Sequence, residues 1–400
     1  MLKFSVATNW DLELLRQIEL LDTKKQVTEI FGKLASDFIG GGRPSYALPF
    51  ISKKKAADYI RSVRKTGRKF NYLLNAACLD NREFTRFGQK KIRQTLEWLD
   101  SLGVDAITVT NPYLGSLIKK QFPRFELTVS ALAVVSSVKT IKFWTEEIGA
   151  REITLHSVSV NRDFALLKKI RSKVGCKLQL TANQLCLYNC PFNIYHKTFV
   201  SHASQSHHPL KGFGIDWCLI NCRYRMFTHP EEVIKSSWIR PEDVGYYEDI
   251  GIDSLKIVDR VRRTENLLLT LRAYLERSFD GNLGELLFHV SKPARSSLRQ
   301  MAVKFLRFFS HPFYINIFKL LKFKQLLSEI KINVDNRKLD GFLDYFVEGK
   351  CKFECEECNY CRNVAERAVY IDSATREKMD KRFREIIDSF ATGDIFRYFP

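Results

Sequence analysis

Four hundred residues exceed one average domain, and a composition 45% apolar and 27% charged is that of a folded globular chain, which excludes disordered and fibrous classes. Lysine plus arginine exceed aspartate plus glutamate by 64 − 45 = 19, which favours an anionic partner such as nucleic acid, a membrane surface or a phosphorylated substrate. No run approaches the roughly 18 apolar residues of a membrane-spanning helix, and the opening MLKFSVATNWDLELL lacks a secretory apolar core, so a cytoplasmic location is expected.

From the N-terminus, short β-branched or aromatic runs alternate with amphipathic stretches. The expected strands are KFSVAT (3–8), VTEIFG (27–32), KFNYLLN (69–75), AITVT (106–110), ELTVS (126–130), EITLH (152–156), KLQLTA (177–182) and SLKIV (254–258). Helical patterns at 52–67, 90–103 and 160–175 lie between them. Strand then helix, repeated eight times over residues 1–280, predicts an α/β fold, a TIM-like (β/α) barrel, with an open doubly wound sheet as the second choice.

Barrel chemistry sits where strands end, at the C-terminal face. Arg43 follows a glycine triplet whose amides, with the guanidinium, suit an anion. Asn75 and Cys78 follow the third expected strand, Ser130 ends the fifth, His156 ends the sixth, and Lys256 and Arg260 bracket the end of the eighth. Singly, each is an ordinary hydrogen-bonded residue. As a set on one rim, Arg43, Asn75, Ser130, His156, Lys256 and Arg260 are the candidate substrate-binding groups.

The seventh strand runs into TANQLCLYNCPFN, and GIDWCLINCRYR follows, so Cys186 with Cys190 and Cys218 with Cys222 form two C-x-x-x-C units within an insertion at 181–235. On a helical turn that spacing points both sulfurs one way, and two such forks make a four-thiolate cage. Thiolates suit zinc or an iron-sulfur cluster, and a gap wider than the C-x-x-C of zinc sites favours iron and sulfide. The alternative is buried structural cysteines or a redox disulfide. Ten cysteines in a reducing compartment favour ligands or catalytic thiols. Between the forks stand His196, His202, His207 and His208, read as a solvated loop, the alternative being that one histidine is a further ligand or proton carrier.

Residues 102–277 resemble the collagenase-like peptidase U-32 family. Its segment of the form GVDSLKIEGR followed by a tyrosine-containing helix is similar to GIDSLKIVDRVRRTENLLLTLRAYLE, Gly251 to Glu276. LGVDAITVTNPYLGSLIKKQFPRFELTVSALAVVSS, SSWIRPEDV and CLINCR are similar to further family elements in the same order. The resemblance implies a barrel-like fold with a [4Fe-4S] cluster on four cysteines, Cys218 and Cys222 matching directly and Cys186 and Cys190 occupying the earlier pair's position at a shorter spacing. Lys256 and Arg260 match the lysine and final arginine of the last-strand motif. Despite the peptidase name, members of the family include oxygen-independent hydroxylation proteins acting on quinone precursors or RNA bases. The chain departs from the pattern where Glu-Gly becomes Val258-Asp259, His-Gly becomes Ala182-Asn183 and Ala-Arg-Glu becomes Leu155-His156-Ser157, which marks a divergent branch.

Residues 281–345 form a basic aromatic segment: from 281 to 326 there are eight basic residues against one acidic, interleaved with phenylalanines in VKFLRFFSHPFYINIFKLLKFKQLL. Such a stretch covers a barrel, lies on an anionic membrane through 301–326, or stacks on nucleic acid. The last unit, 346–400, is small, mostly helical and cysteine-containing, with Cys351, Cys355, Cys358 and Cys361 in CKFECEECNYC ahead of a helix at 374–390. This extra C-terminal motif is expected to hold a second [4Fe-4S] cluster or zinc.

The expected activity is an iron-sulfur-dependent, oxygen-independent hydroxylation or redox reaction on a quinone precursor, RNA base or related small anionic substrate. An electron donor and a paralogous partner subunit go with it. The competing readings are a collagenase-like peptidase, for which no HExxH or GxSxG motif occurs, and a noncatalytic RNA- or membrane-binding adaptor.

Overall fold

A computed structural model describes residues 1–209, 214–287, 316, 318–319, 321 and 332–397. Eight parallel strands, β1 (Lys3–Ala7), β2 (Val27–Gly32), β3 (Lys69–Leu74), β4 (Ala106–Val109), β5 (Glu126–Val129), β6 (Glu152–Thr154), β7 (Lys177–Thr181) and β8 (Ser254–Ile257), pair in chain order. The ring closes where β8 meets β1, with Phe4 opposite Leu255 and Val6 opposite Ile257. The expected barrel is therefore a closed one, and its strands match the expected runs to within two residues.

Local sequence sets the helix starts. Asp11, Ser52, Thr85, Asp163 and Asp216 each turn a side-chain oxygen onto an amide of the first helical turn, while Asn111 does the same ahead of Pro112 at the first helical position. Along each strand one set of alternate residues, such as Phe70, Tyr72 and Leu74 on β3 or Leu178 and Leu180 on β7, is fully buried in the hydrophobic core.

The other alternate set fills the barrel, and it is polar. Asn71 donates to Glu29 at 3.0 Å and accepts from Thr108 at 2.8 Å, while Thr154 donates to Gln179 at 2.9 Å. Gln179 in turn donates to Ser254, and Ser254 to Glu152, each at 3.0 Å. Branched aliphatic layers are the usual filling of such a barrel. Here each polar group finds a partner, so the layer is tolerated without the penalty of an unmet buried donor.

The C-terminal region is small and mostly helical, with one two-stranded antiparallel ribbon, β9 (Asn333–Val334) against β10 (Val369–Tyr370). That ribbon ties residues before position 345 to residues after it. The last long helix, Ser373–Ala391, packs on Trp217–Thr228: Tyr224 donates to Asp380 at 2.9 Å, and the buried Phe383 ring meets Tyr224 and Phe227. The expected membrane contact through 301–326 falls almost wholly outside the described residues. Among the described residues no helix is long and apolar enough to cross a membrane.

Candidate functional site

At the C-terminal mouth of the barrel lies a cavity of about 330 Å³. Its wall includes Arg43, Asn75, Ser130, His156, Lys256 and Arg260, and also Cys186, Cys190, Cys218 and Cys222. Ten residues chosen from separated stretches of sequence thus share one chamber. The reason is topological: the six rim residues lie near or beyond strand ends and the four cysteines stand in the connection from β7 to β8, and a parallel closed barrel gathers such exits on one side.

Cations dominate the wall. Arg43, Lys197, Arg223, Lys256 and Arg260 face Asp259 as the one carboxylate among the lining residues. Lys256 is 7% exposed, its ammonium 4.2 Å from the centre of the Phe31 ring. Burial pulls its pKa down, while Glu29 and Glu152 below it push the other way. Burial, then Arg43, bring Arg260 down to about 10, and its Nη1 is a buried donor with no hydrogen-bond partner among the described residues. Such a donor is satisfied by an anionic ligand oxygen.

The glycine triplet behaves differently from expectation. The amides of Gly40, Gly41 and Gly42 are already engaged by Asp37, Ser204 and Asn75, at 2.6, 2.7 and 3.3 Å. Gly40 sits at φ +81°, and a Cβ on Gly41 would meet Asn75 and Lys33 within 3 Å, so the triplet serves close packing. Arg43 itself lines the cavity, its Nε 3.6 Å from Asp259.

The two cysteine forks differ in form. Cys218 and Cys222 lie on the helix Trp217–Thr228, as the i, i+4 spacing predicts. Cys186 and Cys190 do not: their segment is a nonhelical turn in which Asn189 adopts φ +46°, a conformation asparagine tolerates. Ser236 fixes the turn by accepting from the Cys186 amide at 2.8 Å. All ten cysteines are free thiols. Burial pushes Cys218 and Cys222 up to about 12, with Asp216 adding to the first and Arg223 opposing at the second. Cys190 is raised by burial and by Cys186, so the thiols sense one another. Among the described residues no three His, Cys, Asp or Glu side chains are drawn together as a metal site.

The histidines divide. His196 lines the cavity on the helix Asn193–His202, where a solvated loop was expected, and its Nε2 lies 2.8 Å from Asp216. His202 contacts the Cys78 sulfur at 3.3 Å and stacks on His208, while the His207 ring lies tilted against Phe38. His156 shares a hydrogen bond of 2.8 Å with Ser159, and burial followed by Lys197 holds its pKa down to about 4. Lys197, Arg223 and Asp259 are wall residues that sequence reasoning did not name as site candidates. The first signal for them was adjacency: Arg223 follows Cys222, Asp259 precedes Arg260, and Lys197 follows His196.

A family model described as peptidase family U32 matches residues 49–315. The uncharacterized protease MJ1657 of Methanocaldococcus jannaschii is 32% identical over 350 residues, which is 87% of this chain and 90% of that protein. This chain belongs to peptidase family U32. A solved structure of the U32 peptidase Mk0906 is 19% identical and covers 64% of this chain and 92% of its own, at a TM-score of 0.47.

Two of the positions where this U32 protein departs from the family pattern are built into the mouth. Asn183 donates to the Leu286 carbonyl at 3.1 Å and accepts from the Val258 amide at 2.8 Å, joining the β7 and β8 exits. Asp259 accepts from the Val261 amide at 3.3 Å and faces Arg43. The four C-terminal cysteines of the U32 protein, all half-buried, lie outside the cavity wall, before and within the helix Tyr360–Ala368.

Proposed function

We propose that this U32 protein is an oxygen-independent hydroxylation or redox enzyme that uses a [4Fe-4S] cluster on Cys186, Cys190, Cys218 and Cys222 and acts on a small anionic substrate. The observation that carries the reading is the sharing of one cavity by four free thiols and five cationic side chains. The donor set fits the group: sulfur ligands suit iron, and a four-thiolate cluster is anionic, which the neighbouring Arg223 and Lys197 complement. When bound, such a cluster supplies one-electron chemistry. The chain's own groups do the rest. Arg260, Lys256 and Arg43 bind and orient the anionic end of the substrate, and Asp259 holds Arg43 in place. A chamber of about 330 Å³ suits a single aromatic ring or a nucleobase better than an extended peptide.

A second reading, peptide hydrolysis, is favoured by the His156–Ser159 contact in the same wall. It is the weaker, because a general base works best with a pKa near the operating pH, and His156 at about 4 is far below it.

Anaerobic purification with iron and sulfide analysis and Mössbauer spectroscopy tests the first reading. Iron and sulfide are expected in the wild type, with the barrel share lost in the Cys186→Ala, Cys218→Ala double variant. Zinc without iron at these cysteines, or peptide cleavage that survives their loss, overturns it.

A further inference from the structure

Arg162 poses a problem that the barrel site does not solve. It follows the short helix Ser157–Val160 and is only 4% exposed. Its guanidinium is caged by the rings of Trp238, Phe342 and Phe346, 4.8, 4.9 and 5.3 Å away. Nη1 donates to the Ile234 carbonyl, while Nε and Nη2 have no hydrogen-bond partner among the described residues. A buried cation with two unmet donors calls for an anion beside it. The anionisable groups facing it are Cys361 and Cys351, with Tyr247 and Asp243. Asp243 already has Arg240 at 3.2 Å, and the Tyr247 hydroxyl donates to the Asn161 carbonyl.

The same two thiols belong to the four-cysteine run. Cys355 and Cys358 stand between them in the same short run, 351–361, and all four side chains are half-buried. As neutral thiols they leave Arg162 uncompensated. As four thiolates on a metal centre they carry the missing negative charge.

A second contact links this group to the barrel mouth. Tyr188, inside the turn between Cys186 and Cys190, stacks on Phe353, between Cys351 and Cys355, with centroids 6.1 Å apart and planes at 24°. Phe353 adopts φ +61°, which a bulky residue rarely does, so the surroundings hold the ring where it is. The middle residue of one C-x-x-x-C unit therefore lies on the middle residue of another.

We propose that Cys351, Cys355, Cys358 and Cys361 ligate a second [4Fe-4S] cluster, with Arg162 as its buried counter-cation and the Tyr188–Phe353 contact as its connection to the barrel site. The metal site stands on its own observations; the connection rests on the reading of the barrel site given above. A cluster held by these four cysteines would supply one-electron transfer toward the barrel site, with a low-potential one-electron carrier as its reductant.

The test is iron and sulfide content and electron paramagnetic resonance of dithionite-reduced protein, on the full chain. The Cys186→Ala, Cys218→Ala variant is expected to keep roughly four iron atoms, since a [4Fe-4S] cluster needs one set of four cysteines. Loss of that iron on adding Cys351→Ala and Cys361→Ala assigns it. Zinc, or no metal, in the first variant overturns the second cluster whatever the barrel site holds. An iron-free Cys351→Ala, Cys361→Ala variant instead overturns the barrel reading and leaves the C-terminal one standing. Arg162→Met is expected to lower the C-terminal cluster's midpoint potential, because a buried cation favours the more reduced state, and Arg162→Lys to restore it in part; an unchanged potential removes Arg162 from the proposal. Magnetic broadening between the two reduced clusters is expected in the wild type and lost in either double variant. With both clusters loaded, Phe353→Leu is expected to slow reduction of the barrel cluster, and an unchanged rate overturns the connection.

Discussion

The Lys256 ammonium lies 4.2 Å from the centre of the Phe31 ring, roofing the polar layer that contains Glu29 and Glu152. One face of this cation thus meets the ligand chamber and the other meets carboxylates of the barrel interior. Replacing it by methionine keeps the stem and removes the charge. Lys256→Met is expected to cost on the order of 3 kcal/mol near pH 8, where the carboxylates are left without their cation. Chemical denaturation checks this, and an unchanged unfolding free energy would show that the ammonium does not balance them.

Glu152 carries a pH signature. Burial, with Glu29 adding to it, raises its pKa to about 7 against the Ser254 hydrogen bond and Lys256. A carboxyl raised on folding stabilises the native state fully below its unfolded value of 4.5, and that contribution is lost as pH rises through about 7. The loss is on the order of 3 kcal/mol. Glu152→Gln is expected to flatten stability between roughly pH 4.5 and 7 and to exceed the wild type near pH 8. Parallel stability curves for the two proteins would refute the assignment.

His156 titrates in the opposite sense. Its neutral ring is favoured by burial, so the stability it brings is whole above its ordinary 6.5 and disappears as pH falls to about 4. Nuclear magnetic resonance of the imidazole should give a midpoint near 4, and one near 6.5 would reopen a general-base role for the His156–Ser159 pair.

The barrel was legible because each strand is a brief run whose apolar residues, such as Ile107 and Val109 on β4, lie on the helix side. The rim residues were legible for a related reason: in a parallel barrel, position just after a strand already specifies the face. Less was readable where distant segments decide the conformation. The Cys186–Cys190 turn is held by Ser236, some fifty residues away, and spacing alone suggested a helix there. The amides of the glycine triplet were offered to a ligand on paper, yet Ser204 and Asn75 occupy two of them from remote parts of the chain. Arg162 gave no signal at all, since its cage is assembled from Trp238, Phe342 and Phe346.

The terminal helix offers a test of how the two parts cooperate. Phe383→Ala removes a fully buried ring and is expected to cost about 3–5 kcal/mol. Because that ring packs on Tyr224 and Phe227, hydrogen exchange should rise in Ser373–Ala391 and in Trp217–Thr228 together. Faster exchange in the terminal helix alone would show that the two move independently.

That docking has a bearing on biosynthesis. Ser373–Ala391 leaves the ribosome well after Trp217–Thr228, the element it packs on, and Tyr224 waits for Asp380 at a separation of 156 positions. Until translation reaches the last helix, Tyr224 and Phe227, on the helix that also carries Cys218 and Cys222, lack the Phe383 ring that packs on them. Packing of the Trp217–Thr228 helix is therefore completed only once Ser373–Ala391 has been made.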